Sequence, residues 1–270
     1  MNILYAIFLG LVQGATEFLP VSSSGHLVLA ATLFGVKEAS LAFDVVLHLG
    51  TLIAVLFYFR NDFWLMTKAL LFWQDKSTET ASLRSLALQL AVGTVPAVIA
   101  ALLFGDYIET TLRNPMVVAI TLAGVGLLLL IGERVGKHQR SFSSITWLDT
   151  LLIGCAQALA IIPGVSRSGI TMTAGLFRDL NRQAVARFSF LLSAPIILGA
   201  GVYKIPDILQ QGLAPGQGYF YLAGFLSSAI SGYFVIAFLI QFVRTKTFEI
   251  FAYYRFALAA LVAVSLLLLH

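Results

Sequence analysis

Apolar residues along this chain fall into long blocks separated by short polar turns. Six blocks, 41–59, 83–104, 115–132, 183–203, 219–243 and 248–269, carry few charges. Each has about the length that crosses a roughly 30 Å hydrocarbon core as a helix. None alternates with period two, so membrane helices are predicted rather than barrel strands. Two further segments are shorter and interrupted. Residues 3–18 would rise only about 24 Å as a helix before Leu19-Pro20-Val21-Ser22-Ser23-Ser24-Gly25, whose Pro and Gly break it. A second short helix is predicted over 26–34. Residues 147–162, a turn at 163–169 and a helix at 170–177 repeat that plan. Helix–turn–helix segments of this length predict two re-entrant hairpins.

The two interrupted segments are copies of each other. Gly10, Gln13, Val21, Ser22, Ser24 and Gly25 are matched at constant spacing by Gly154, Gln157, Val165, Ser166, Ser168 and Gly169. Hydroxyl- and Gly-rich turns are costly at membrane depth unless buried in protein or lining a wet cavity. Two of them in corresponding positions point to one site at the repeat interface.

Charge assigns the faces. If both segments turn back, one face carries Arg60, Lys68, Lys76, Arg84, Arg134, Lys137, Arg140, Arg178, Arg182, Arg187, Arg244 and Lys246, and the other only Lys37, Arg113 and Lys204. The positive-inside rule makes the first face cytoplasmic. Both termini then lie outside and the hairpins enter from opposite faces. The halves, 1–146 and 147–270, each hold one hairpin and three spans in inverted orientation. Two spanning hairpins would separate the charges less cleanly, so the inverted reading is preferred. The predicted fold is an all-α polytopic membrane protein, with about six transmembrane helices plus two re-entrant hairpins in an inverted-topology repeat.

Composition agrees. Hydrophobic residues make up 59% and charged residues 11% of 270, against about 25% charged in soluble domains. The net charge of +4 forms no basic stripe, so no nucleic-acid partner is expected. The single cysteine, Cys155, excludes an internal disulfide and a Cys-rich metal site. The N-terminus lacks the basic region of a cleaved signal peptide and is read as mature.

Gln13 and Glu17 share one helix face just before the Pro20 break. An ionised carboxylate at that depth costs about 2.5–3.5 kcal/mol on insertion scales, so Glu17 should be paired or cation-bound. Amide and carboxylate oxygens suit Mg²⁺ or Ca²⁺. Ser22, Ser23, Ser24 and His26 open the second half-helix, where unpaired N–H groups favour an anion, and a hydroxyl near His suits group transfer. In the second copy Arg167 replaces Ser23. Its planar fork grips two phosphate oxygens, and Ser166, Ser168 and Thr171 add hydroxyls, making half of a phosphate cradle. The plainer alternatives are a hydrogen-bonded neutral Glu17, a Ser N-cap, and Arg167 paired to Glu17 as a fastener. That pair can also open for a ligand.

Weaker signals are set beside these. Asp44 and His48 are candidates for the cavity mouth, and Gln157 is expected to pack or hydrogen-bond. Gly199, Gly201, Gly224, Ser227, Ser228, Ser231 and Gly232 read as close helix packing. Residues 63–73 read as an interfacial helix anchored by Trp64, Lys68 and Trp73. Tyr253-Tyr254-Arg255 reads as interface belt rather than site.

The run from Gly14 to His26, GATEFLPVSSSGH, together with Pro163 to Thr171, PGVSRSGIT, resembles the undecaprenyl-pyrophosphate phosphatase family of the bacitracin-resistance type, over essentially the full length. The resemblance implies a bacterial inner-membrane hydrolase with its active site facing the periplasm. Its implied reaction removes the terminal phosphate of a C55 polyprenyl diphosphate, recycling the lipid carrier for peptidoglycan. It implies Mg²⁺ or Ca²⁺ as cofactor, an acidic pair at Gln13 and Glu17, a catalytic serine and histidine at Ser23 and His26, and phosphate-gripping residues at Ser166, Arg167 and Thr171. Gln13 stands where the family often has Glu, which leaves Glu17 as the main anionic ligand.

One mechanism has Ser23 attack the terminal phosphorus with His26 taking its proton. Attack by water, or by His26 itself, fits the sequence equally. The partners are then a polyprenyl diphosphate lipid and the membrane, and a homodimer is allowed without being demanded. The rival function is a transporter or flippase of polyprenyl phosphate, which needs the cradle but no nucleophile. A membrane scaffold leaves Glu17, His26 and Arg167 unexplained.

Overall fold

Helices form where the apolar blocks predict them. The computed structural model describes residues 3–27, 41–75, 77–112, 114–211 and 217–268. Most of the expected return helix 26–34 lies outside the described residues, as do Lys37, Lys76 and Arg113. The helices are α1 (Ile3–Phe18), α2 (Leu41–Tyr58), α3 (Arg60–Leu71), α4 (Thr78–Tyr107), α5 (Pro115–Val135), α6 (Trp147–Ala158), α7 (Arg167–Phe177), α8 (Arg182–Gln211), α9 (Gln217–Phe242) and α10 (Glu249–Leu268). Among the described residues no strand occurs. Helices α4, α5, α8, α9 and α10 are each long and apolar enough to cross a membrane. The chain is an all-α, multi-pass membrane protein.

The block expected at 41–59 behaves differently from the other five. Helix α2 has 18 residues, about 27 Å of rise, and meets α3 at a bend of 78°. Helix α3 buries Met66 and Ala69 and exposes Trp64, with Lys68 Nζ 4.9 Å from the Trp64 ring. That amphipathic geometry is the one expected of the interfacial segment.

The outward faces are apolar, the reverse of a soluble protein. Leu88, Val92, Val95, Ile99, Leu102 and Leu103 are exposed along α4, at the three-to-four spacing of one helix face. Inside, small residues let helices approach closely. A Cβ on Gly10 would strike the Ser227 side chain and the Gly224 carbonyl, fixing α1 against α9. A Cβ on Gly154 would strike the Gly93 backbone, fixing α6 against α4. The matched glycines of the repeat therefore do the same job, each bringing a short helix onto a long helix from the other half of the chain.

The segment α6–turn–α7 enters and leaves at one end of the bundle. Asp149, fully buried in the first turn of α6, accepts from Arg178 Nε at 2.7 Å just past the end of α7. It also accepts from Arg140 Nη2 at 2.5 Å and completes a capping box with Thr146. Backbone bonds from Arg140 N to Asp179 O and from Asn181 N to Arg140 O close the same junction. Neighbouring helix ends are joined there by Arg182 with Glu133, Arg134 with Glu249 and Arg187 with Asp62. Asp149→Ala leaves Thr146 N and Oγ1 without their carboxylate acceptor and removes the charge-assisted contacts to Arg140 and Arg178, and is expected to destabilise by about 2–4 kcal/mol. The midpoint of thermal unfolding in detergent measures this, and Asp149→Asn, which can keep the Thr146 cap, should recover part of the loss.

Candidate active site

Both turns are built on a serine in a conformation that serine seldom takes. Ser22 has φ 73° and Ser166 φ 71°, in the left-handed region where a non-glycine residue is strained. Each then caps the helix that follows: Ser22 Oγ accepts from Gly25 N at 3.2 Å, and Ser166 Oγ accepts from Gly169 N at 3.1 Å. The third serines cross over. Ser24 Oγ accepts from Gly164 N of the other turn at 3.2 Å, while Ser168 Oγ donates to Glu17 O at 3.1 Å and Leu19 O at 2.9 Å. The two turns therefore hold each other by backbone contacts, with Ser22 and Ser168 fully buried.

Glu17 is the hub where they meet. Its carboxylate is 8% exposed. Oε1 accepts from Arg167 Nη2 at 2.9 Å, and Oε2 accepts from Ser23 Oγ at 2.9 Å and Gln13 Nε2 at 3.0 Å. His48 Nε2 lies 3.6 Å from Oε2, and its Nδ1 donates to Asp44 O at 2.8 Å. Arg167, at the start of α7, also donates from Nη1 to Ser189 O at 3.2 Å. Its side chain is largely buried, with 11% exposure. The expected Glu17–Arg167 pair is formed, and it joins the first turn to the second.

Other expected neighbours are not brought together. Ser23 directs its hydroxyl to Glu17, and His26 has both nitrogens occupied elsewhere: Nδ1 at 2.7 Å from Ser22 O and Nε2 at 2.6 Å from Tyr254 Oη. Thr171 Oγ1 donates to Arg167 O at 2.7 Å and lies 2.7 Å from Ser189 Oγ. Ser166, Ser168 and Thr171 thus use their hydroxyls to fix the backbone around Arg167. Gln157 is buried like its counterpart Gln13, but its amide atoms find no partner among the described residues. Ile161 stands where the first copy has Glu17, so the acceptor that serves Gln13 is missing.

The belt reading of residues 253–255 is corrected. Tyr253 fits it, exposed and bonded to Arg134 at 3.3 Å, whereas Tyr254, also exposed, bonds His26. Arg255 is fully buried. Its Nε donates to Leu122 O, Nη1 to Pro20 O, and Nη2 to Thr121 O, Gly164 O and Val165 O, at 3.0–3.3 Å. One guanidinium thereby fastens both turns to α5. The overlooked signal was an arginine well inside an apolar block, which is expensive unless it has such partners.

Residues 6–261 match the family described as bacitracin resistance protein BacA. The chain belongs to the BacA family. It is 47% identical to an undecaprenyl-diphosphatase of Rubrobacter xylanophilus over 99% of this chain and 100% of the relative. It is 43% identical to one of Gemmatimonas aurantiaca over 98% of each chain, and 44% identical to one of Moorella thermoacetica over 97% of each.

A divalent cation can be tested against this BacA-family site. Gln13 is fully buried and its Oε1 has no donor, although it lies beside a carboxylate. Amide and carboxylate oxygens are the ligands a hard cation prefers. Among the described residues no cluster of three or more His, Cys, Asp or Glu surrounds the position. The set therefore fits an ion like Mg²⁺ that keeps waters and takes substrate phosphate oxygens as further ligands, and does not form an all-protein cage.

Proposed function

We propose that this protein hydrolyses undecaprenyl diphosphate to the monophosphate and inorganic phosphate, returning the carrier lipid to peptidoglycan synthesis and conferring bacitracin resistance. The observation that carries the reading is the junction of Glu17, Ser23 and Arg167, an acid–hydroxyl–guanidinium set at the meeting of two buried turns. The name shared by relatives of 43–47% identity supports the same chemistry. It does not favour a polyprenyl phosphate carrier.

The terminal phosphoryl group sits against Arg167, which trades its contact with Glu17 for phosphate oxygens. Ser23 attacks the phosphorus and its proton leaves along the existing contact to Glu17. The bridging P–O bond breaks and the lipid monophosphate departs. Water then cleaves the phosphoserine, and Ser23 recovers its proton from Glu17. Phosphoryl transfer demands chiefly positioning and charge stabilisation on the equatorial oxygens, which is the role of Arg167. A divalent cation, when bound by Glu17 and Gln13 Oε1, would supply further positive charge there. Relative to attack with His26 as base, Glu17 becomes the nearer proton acceptor. All these groups come from one chain, so a homodimer is not required for the chemistry.

The site opens to the periplasm in this reading, with the protein in the bacterial inner membrane and both termini periplasmic. The halves 1–146 and 147–270 form an inverted repeat. The matched serine conformations and the reciprocal packing of α1 on α9 and α6 on α4 support that arrangement.

The test is phosphate release from C55 diphosphate by purified protein in detergent with Mg²⁺ or Ca²⁺. Release is expected to stop with EDTA and to fall at least about 10²-fold in Arg167→Ala, the scale of losing one main charge-stabilising donor. Lipid that binds without releasing phosphate would move the reading to a carrier.

A further inference from the structure

The hydrogen bonds of His26 define its tautomer. A backbone carbonyl can only accept, so Nδ1, 2.7 Å from Ser22 O, carries the proton. In the neutral ring Nε2 is then bare, and the hydroxyl 2.6 Å from it, Tyr254 Oη, must be the donor. The rings stack with centroids 5.6 Å apart and planes 8° apart, so the phenol is held in that contact by its own packing. Tyr254 remains 46% exposed. The basic nitrogen of His26, one helical turn from Ser23, is thus covered by the hydroxyl of a half-exposed tyrosine.

We infer that Tyr254 is a catalytic residue, the outer member of a two-residue proton relay with His26. The inference rests on the hydrolytic reading above. In the second half of the reaction, water attacks the phosphorus of phosphorylated Ser23. As the O–P bond forms, the water proton passes to Tyr254 Oη and the Tyr254 proton passes to His26 Nε2. The P–Oγ bond breaks, and Ser23 takes up the proton held by Glu17. Tyr254 ends neutral and His26 ends as an imidazolium, which has acceptors on both sides: Ser22 O at Nδ1 and Tyr254 Oη at Nε2. A hydroxyl both donates and accepts, so one contact serves either protonation state of the histidine. His26 then returns its proton to the periplasmic solvent.

The neighbour Arg255 keeps this geometry by anchoring α10 to both turns. Tyr253, the adjacent tyrosine, faces Arg134 instead and provides an internal control.

Tyr254→Phe keeps the stacked ring and removes only the oxygen. It is expected to lower kcat roughly 10²-fold, the scale of a lost acid–base group, with KM within about twofold. His26→Ala should fall by a similar factor. The double variant should fall no further than the worse single variant, because removing either member breaks the same relay. Tyr253→Phe should match wild type. Multiplicative losses in the double variant, or a Tyr254→Phe enzyme with kcat within about twofold of wild type, overturn the proposal. A second readout does not need turnover: ¹⁵N-histidine NMR, assigned with His26→Ala, should show an Nδ1–H tautomer whose Nε2 signal moves in Tyr254→Phe. An unmoved signal also overturns it. If wild type itself releases no phosphate while the Nε2 signal still moves, the hydrolytic reading fails and the pair stands.

Discussion

Glu17→Gln is expected to abolish turnover while leaving the lipid bound. The amide nearly matches the carboxylate in shape, so the packing of α1 survives. Its charge does not, and the NH₂ group is a donor facing other donors. An amide is not a base, so Ser23 loses the group that takes its proton, and the NH₂ leaves either Ser23 and Gln13 Nε2 or Arg167 facing a donor. A fall of at least about 10³-fold in kcat is expected from losing the proton acceptor and the precise placement of the nucleophile together. Arg167 responds in the opposite sense. Facing an uncharged amide in place of its partner carboxylate, it no longer has to break an ion pair to grip phosphate, so KM should hold or drop. Steady-state phosphate release together with binding of unreacted lipid separates the two effects. Equal losses in binding and turnover would mean that Glu17 serves mainly as a fastener. The same variant should be less stable without ligand, because a buried pair that loses one partner costs about 3–5 kcal/mol.

Arg255→Met should disable the protein through its fold, and Arg255→Lys should rescue little of the loss. Methionine fills most of the volume and removes a buried charge, which offsets part of the damage. It also strands the carbonyls of Pro20, Gly164 and Val165, three contacts that tie the turns down. Each unsatisfied buried acceptor costs about 1–3 kcal/mol, and the net is expected at about 2–4 kcal/mol after the desolvation relief. Lysine presents a point charge with three donors and cannot span carbonyls that lie on three separate pieces of chain. A turn misplaced by about 1 Å costs on the order of 10²-fold in rate, so both variants should lose at least that much activity. Thermal unfolding and phosphate release on the same preparations check it. Full activity in Arg255→Lys would show that charge alone suffices.

The apolar blocks and the repeated turns were legible in the sequence because both are local patterns. Block length reports the membrane, and matched Gly and Ser report two equivalent turns. The pairing of Glu17 with Arg167 was legible for a similar reason, since each charge is too costly to leave alone at that depth. What the chain did not disclose is direction. Tyr253, Tyr254 and Arg255 form one patch on paper, but successive residues on a helix point about 100° apart. One therefore faces the surface, one the histidine and one the buried turns. The serines pose the same problem. Five hydroxyl-bearing positions besides Ser23 were read alike as phosphate ligands, yet the left-handed backbone at Ser22 and Ser166 sends some inward as caps and cross-ties. Which hydroxyl stays available depends on the opposite turn, more than a hundred residues away and invisible to any local pattern.

The reciprocal seating of the hairpin helices has a consequence for biogenesis. Helix α1 leaves the ribosome long before α9, yet the surface that accepts Gly10 is α9. Until residues 217–242 have been made and inserted, α1 lacks the helix it packs on most closely, although the turn that its own polar turn binds is already made. Helix α6, by contrast, finds α4 already in the bilayer. A nascent chain stopped before α9 would already hold Glu17 and its partner Arg167, with the packing surface of α1 still unmade.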